Sequence, residues 1–214
     1  MRDVNALQWA TKMLADEFVR QCNLRGLNVK ITDCVRSKAE QDECLRKGTT
    51  QVGYGYSFHN WGLAFDICKN DPKCAYPDPS TKTGRKWWND CGKVGKALGL
   101  FWGGDWENFP DRPHFQLNAY GTCKDLIKAY TLPNYFLAHK DYKATTPKTA
   151  ITPASSKKKI LWMQVKLIIK GYAINLTGKW DATTTKALKA FWLDRTGRNC
   201  TGKICAVKCI EMLV

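Results

Sequence analysis

Val29, Ile31, Asp33 and Val35 alternate with Lys30, Thr32 and Cys34. A two-residue period broken by one polar position predicts a strand with one face in a core. Two shorter stretches carry the same period. In Ala64-Phe65-Asp66-Ile67, Phe65 and Ile67 go to the core face, and Asp66 shares the other with Ala64. His114-Phe115-Gln116-Leu117 likewise sets His114 and Gln116 against Phe115 and Leu117. Pro113, just before, biases Arg112 to an extended backbone and suits an edge or first strand position. Helical spacing appears at Ala6, Trp9, Ala10, Met13, Leu14 and Phe18, interrupted by Lys12, Asp16 and Glu17. Ser37-Lys38-Ala39-Glu40 reads as a capping box, predicting a helix that runs to Lys47 and stops at Gly48.

From Ile160 onward the period is helical throughout. Leu161, Val165, Leu167 and Ile168 predict one helix ending near Gly171. Asp181 caps a second through Ala187, Leu188, Phe191 and Trp192 to about Arg195, and a third covers Ala206 to Leu213. Leu176-Thr177-Gly178-Lys179-Trp180-Asp181 and Cys200-Thr201-Gly202-Lys203-Ile204-Cys205 echo each other, each just before a helix. Between the two patterned regions, Lys140 to Lys159 is rich in lysine, threonine, proline and alanine and has the composition of a linker. The expected organisation is therefore a domain over 1–139, a linker over 140–159 and a small all-α, three-helix domain over 160–214.

Charge sharpens that division. Residues 1–139 hold 19 Lys+Arg against 15 Asp+Glu, and residues 140–214 hold 15 against 4, so net charges of +4 and +11 make up the chain's +15. The basic tail suits an anionic partner. Nucleic acid is disfavoured, since no zinc-finger, helix-turn-helix or RNA-recognition signature accompanies the charge. No apolar run approaches the ~18 residues of a membrane span, and the N-terminus reads as an amphipathic helix rather than a secretion signal. The ten cysteines divide seven and three between the two regions. Odd numbers without a regular framework predict mostly free thiols, with a Cys68–Cys74 bridge left open. Cys200, Cys205 and Cys209 lack both a fourth partner and CxxC spacing, so no second metal site is expected.

The chemistry concentrates in Ser57-Phe58-His59-Asn60-Trp61-Gly62-Leu63-Ala64-Phe65-Asp66 and, downstream, Asp111-Arg112-Pro113-His114. His59, Asp66 and His114 supply two imidazoles and a carboxylate, the donor set of a zinc site with its fourth position open to water. Other divalent ions also accept such a set. Asp111 is a further carboxylate able to take a proton, although Asp105 and Glu107 lie nearby. Arg36 stands where a strand passes to a helix N-terminus, placed either to meet an oxyanion or simply to pair with Asp33. His139 has no motif around it and reads as an ordinary histidine. Trp61, Trp102 and Trp106 read first as packing around the site.

The pattern S-x-H-x-x-G-x-A-x-D followed by acid-x-x-H resembles the zinc peptidases of bacterial cell-wall metabolism. That group holds D-alanyl-D-alanine carboxypeptidases and dipeptidases and phage L-alanyl-D-glutamate endopeptidases. The likeness runs from about Arg36 to Leu117, and Leu100-Phe101-Trp102-Gly103-Gly104-Asp105-Trp106 is most similar to the phage lysin branch, which also has aspartate at the position of Asp111. The resemblance implies that His59, Asp66 and His114 hold one Zn2+, that Asp111 is the catalytic base, and that Arg36 lies beside the scissile carbonyl. Gln41, Ser57, Trp61 and Asp105 are the candidate substrate contacts. It further implies an α+β first domain, an antiparallel sheet with flanking helices like the D-Ala-D-Ala carboxypeptidase and Hedgehog-like folds. The tail resembles the small peptidoglycan-binding domain appended to wall hydrolases.

The function expected on this basis is that of a phage or prophage endolysin, an L-alanyl-D-glutamate endopeptidase acting on the peptidoglycan stem peptide. It would be made in the host cytoplasm without a signal peptide and act at the wall after release, with anionic wall polymers as possible further partners. The alternatives are a D-alanyl-D-alanine carboxypeptidase and a non-catalytic wall-binding protein.

Overall fold

A computed structural model describes residues 3–130 and 146–214, and the chain divides into two compact units, Met1–Tyr142 and Lys143–Val214. His139 and the first part of the expected linker, residues 140–145, lie outside the described residues.

The first unit is α+β. Its antiparallel sheet contains β1 (Val29–Asp33), β2 (Ala64–Lys69), β3 (Phe101–Trp102) and β4 (His114–Gln116) in the order β1-β2-β4-β3. The alternation in β2 and β4 works as the sequence predicts. Phe65 and Phe115 are register partners on the buried face, with near-parallel rings 5.8 Å apart. Phe18, from α1 (Trp9–Leu24), packs against both at 5.7 and 4.6 Å. Burying three such aromatics contributes roughly 2 to 3 kcal/mol each to stability. Glu17, expected to interrupt the apolar stripe, is itself buried and is held by Arg20 and Gln21.

Helix α2 (Lys38–Arg46) starts on the expected capping box, with Ser37 Oγ accepting from the Glu40 N–H and Glu40 accepting from the Ser37 N–H. Helix α3 (Lys82–Ala97) buries Trp88, Cys91 and Val94, which recur at helical spacing among three glycines, Gly84, Gly92 and Gly95. Each interior glycine costs a helix about 0.5–1 kcal/mol relative to alanine. The sheet explains two of them. A Cβ on Gly95 would lie 2.4 Å from the Phe115 ring, and one on Gly92 would lie 2.4 Å from Trp102. Side chains at these positions would lift α3 off β3 and β4. In helix α4 (Cys123–Tyr130), Cys123 and Leu126 pack on Trp61 and Leu63.

The second unit contains α5 (Lys157–Ile169), α6 (Ala182–Thr196) and α7 (Val207–Leu213). Asp181 caps α6 as expected, accepting from the Thr184 N–H at 2.8 Å. The unit begins earlier than composition suggested. Ile151 is fully buried and exchanges two backbone hydrogen bonds with Cys205, both 2.9 Å, while α5 starts at Lys157. A single apolar residue among prolines and lysines has no period, so residues 151–159 looked like linker. The echoed Thr-Gly-Lys segments share a backbone turn, with Gly178 at φ 66° and Gly202 at φ 67°.

Candidate active site

The site is assembled where β2 and β4 pair. Asp66 and His114 are register partners, so both side chains leave the same face of the sheet, opposite Phe65 and Phe115. His59 comes from a 3-10 turn (Phe58–Trp61) whose ends are tied to the β1–α2 junction. The Arg36 N–H donates to the His59 carbonyl at 3.2 Å. Asn60 bonds the Arg36 carbonyl at 3.1 Å and accepts from the Gly55 N–H at 2.9 Å.

Three atoms converge. His59 Nε2 lies 3.1 Å from His114 Nδ1 and 3.2 Å from Asp66 Oδ1, and His114 Nδ1 lies 3.3 Å from the same oxygen. Tetrahedral bonds of about 2.0 Å, as for zinc, separate ligand atoms by roughly 3.3 Å. The triangle thus has the dimensions of one face of a zinc tetrahedron. The other ring nitrogens are committed: His59 Nδ1–H donates to the Cys34 carbonyl at 2.6 Å, and His114 Nε2–H to Gln116 Oε1 at 2.9 Å. Two imidazole lone pairs and a carboxylate oxygen therefore face one another, with His59 1% and His114 5% exposed. Acceptors turned together in a dry setting need a cation or protons between them. Among the described residues this is the one cluster of three or more His, Cys, Asp or Glu side chains able to hold a metal ion.

The electrostatics agree. Burial works to raise the Asp66 pKa, but the two facing imidazoles outweigh it and hold the carboxylate well below its ordinary range. Burial pulls the His114 pKa down, and the Asp66 carboxylate more than compensates, leaving it raised. Asp111 behaves oppositely to Asp66. Burial first, then the nearby Asp66 charge, push its carboxyl above the usual aspartate value. Its backbone is fixed by an N–H bond to the Gly103 carbonyl at 2.9 Å, while its own carbonyl accepts from the His114 N–H at 3.2 Å.

These groups open on a cleft of about 620 Å³. One wall is Thr49–Val52 with Tyr56, and the other is Trp106–Phe109. Arg36, Ser57, Asp105, Asp111 and Gln116 also line it. Arg36 is already engaged, its Nε donating to Asp33 at 2.7 Å and its Nη2 to the outer oxygen of Asp66 at 3.1 Å. Both readings of Arg36 thus meet in one side chain, which pairs with Asp33 and borders the cleft. Asp105 is ion-paired with Lys96 at 2.8 Å. Trp106 packs on the His114 ring, centroids 5.2 Å apart, and Trp102 donates to the Arg112 carbonyl.

Two candidate substrate contacts are corrected. Gln41 is fully buried, and its amide binds the Val52 carbonyl at 2.8 Å and accepts from Asn60 at 3.4 Å, bracing the cleft wall from behind. Trp61 is also fully buried, in the Leu63–Cys123–Leu126 cluster, with its indole N–H on the Gly55 carbonyl. Trp61 sits within the motif and Gln41 in helix α2 upstream of it, and position in sequence did not reveal which way they turn. Thr49–Val52, Asn108 and Phe109 went unnoticed as cleft walls because they carry no pattern of their own. All described cysteines are free thiols, Cys68 and Cys74 included. Among the described residues, no helix is long and apolar enough to cross a membrane.

A family model described as D-alanyl-D-alanine carboxypeptidase matches residues 50–117. Over 117 residues the chain is 34% identical to the peptidoglycan L-alanyl-D-glutamate endopeptidase CwlK of Bacillus subtilis (strain 168), covering 50% of this chain and 70% of that protein. It is 30% identical over 128 residues to an L-alanyl-D-glutamate peptidase of Listeria phage A118, covering 57% of this chain and 42% of the phage protein. Among solved structures, the L-Ala D-Glu endopeptidase ChiX of Serratia marcescens aligns at 22% identity with a TM-score of 0.38, over 53% of this chain and 82% of ChiX.

Proposed function

The chain belongs to the D-alanyl-D-alanine carboxypeptidase family of metallopeptidases, and from that premise we propose that it is an L-alanyl-D-glutamate endopeptidase of phage-lysin type, cutting the peptidoglycan stem peptide. The observation that carries this reading is the triangle of His59 Nε2, Asp66 Oδ1 and His114 Nδ1 in a cleft that also holds Asp111.

In this proposal His59, Asp66 and His114 hold one Zn2+. When bound, the ion supplies Lewis acidity toward the scissile carbonyl and brings the pKa of a water to roughly 7. Asp111 takes the proton of the attacking water and returns it to the leaving amine. Arg36 has spent two of its five N–H donors on Asp33 and Asp66, and the others are available to a developing oxyanion. Ser57 and Asp105 remain candidate substrate contacts on the cleft wall.

The second unit would serve as a wall-binding module. Its support is the +11 net charge of residues 140–214 together with a helical fold separate from the catalytic unit. Peptidoglycan and anionic wall polymers are the partners this charge suits, and tethering there raises the local enzyme concentration. Pelleting the full chain with purified walls across a salt series tests it. Retention should weaken as salt shortens the Debye length from about 10 Å at 0.1 M.

Mass spectrometry of digested walls decides the bond cleaved. An endopeptidase generates a new D-glutamate amino terminus. Loss of terminal D-alanine alone would establish the carboxypeptidase reading, which the description of the matching family model favours.

A further inference from the structure

The two histidines of the centre present different nitrogens, and the groups that dictate this differ in kind. His59 turns Nε2 inward because its Nδ1–H is taken by the Cys34 carbonyl, a backbone group fixed at the end of β1. His114 does the reverse, turning Nδ1 inward while its Nε2–H is taken by the side-chain oxygen of Gln116.

We propose that Gln116 is a positioning residue for the metal centre, selecting the His114 nitrogen that reaches the ion. The inference rests on the reading of His59, Asp66 and His114 as ligands, and it adds a function to a residue outside that set. Gln116 follows His114 by two positions on β4, so both side chains leave the same face of the sheet. It is 7% exposed, and its Oε1 is 2.9 Å from His114 Nε2. The other end of its amide donates to Asn118 Oδ1 at 2.7 Å. In this arrangement the NH2 group is on Asn118 Oδ1 and the oxygen faces the ring. An oxygen there can only accept, so the proton of a neutral His114 ring resides on Nε2 and the Nδ1 lone pair is left for the cation. Nδ1 is the nitrogen 3.3 Å from Asp66 Oδ1. Partners of this kind typically contribute 10–100-fold to metal affinity.

The first test is a wild-type measurement that requires no variant. The chain has three histidines, so ring-nitrogen NMR of the zinc-loaded, 15N-histidine-labelled protein is assignable. One metal-bound ring should be ligated through Nδ1 with a proton on Nε2, and the other through Nε2 with a proton on Nδ1. Two rings ligated through Nε2 would overturn the proposal.

The second test is zinc affinity by chelator competition. Gln116→Leu removes the acceptor at similar volume and should bind zinc about 10–100-fold more weakly. Gln116→Glu restores an acceptor and should bind at least as tightly as wild type. Equal affinity in all three proteins, with only KM raised in Gln116→Leu, would make Gln116 a substrate contact instead. Equal weakening in both variants would reduce it to a packing residue. A wild-type protein that takes up no divalent ion would overturn the centre itself, an outcome distinct from either of these.

Discussion

Gln164 in the second unit and the His59–Asp66–His114 trio in the first are both polar groups set among apolar side chains, yet they spend their hydrogen-bonding capacity differently. Gln164 is fully buried and satisfied within its own unit. Its Oε1 accepts from the N–H groups of Gly178 at 2.8 Å and Thr177 at 3.2 Å, and its Nε2 donates to the Lys179 carbonyl and Thr184 Oγ1, both at 2.9 Å. Every donor there meets an acceptor, and the result is a rivet holding the first Thr-Gly-Lys turn onto α5 and α6. In the first unit the outer ring nitrogens are satisfied and the inner ones face a carboxylate oxygen and each other. Burial alone does not distinguish scaffold from site. The distinguishing feature is whether the lone pairs are answered from within the chain.

The contrast is broken most severely at the centre. Asp66→Ala removes the sole anionic corner of the triangle, and the purified protein should retain little metal by elemental analysis and show no measurable wall hydrolysis. A variant that kept stoichiometric metal would contradict the assignment. Asp111→Asn is the next step down. It should keep its metal while hydrolysis slows by roughly 10²–10⁴-fold, the usual share of a general base. Unchanged lysis of purified walls would remove Asp111 from the mechanism.

The same residue gives a pH signature. Without the metal, burial and the Asp66 charge raise the Asp111 pKa, so its ionised form is lost at higher pH than for an ordinary aspartate. In carboxyl-carbon NMR of the metal-free protein the Asp111 titration should therefore fall above the usual value of about 3.9. A midpoint at or below that value would contradict the burial of this carboxyl beside Asp66.

At the rivet, Gln164→Leu leaves the Gly178 N–H and its neighbours unanswered. It should destabilise the second unit by about 3 kcal/mol in denaturant unfolding while leaving metal content alone. The smallest effect is expected at the cap of α6, where Asp181→Ala should cost about 1 kcal/mol. Burial tends to raise the Asp181 pKa, but the Thr184 N–H and the hydroxyls of Thr183 and Thr184 prevail and lower it. A depressed carboxylate pKa gives stability that is complete above the unfolded value and lost as pH falls through the folded one. The wild-type minus Asp181→Ala difference should accordingly shrink in acid, and a difference that grew instead would contradict the charge-based account of this cap.

The site was legible in the sequence to the extent that its geometry is local. Strand alternation put Asp66 and His114 on faces opposite Phe65 and Phe115, and it placed Gln116 beside His114 without suggesting a role. Gln41 and Trp61 were misread as substrate contacts because a motif records spacing along the chain and not the direction in which a side chain is turned. Both face inward, one bracing the Val52 carbonyl and the other filling a core. Helix α3 was overlooked although Trp88, Cys91 and Val94 recur at helical spacing, because its three glycines argue against a helix and the contact with Phe115 and Trp102 that accounts for two of them is remote in sequence. Ile151 was read as linker because its partner, Cys205, lies more than fifty residues away.

By itself the sequence determined the donor set, the strand faces, the capped helices and the strong charge asymmetry, all consequences of short-range periodicity and side-chain chemistry. The tertiary structure decided what those donors amount to. Register pairing of Asp66 with His114, and delivery of His59 by a turn bonded to Arg36, brought three lone pairs within about 3.3 Å of one another. Such convergence depends on backbone hydrogen bonds between segments far apart in the chain, and no local period encodes them.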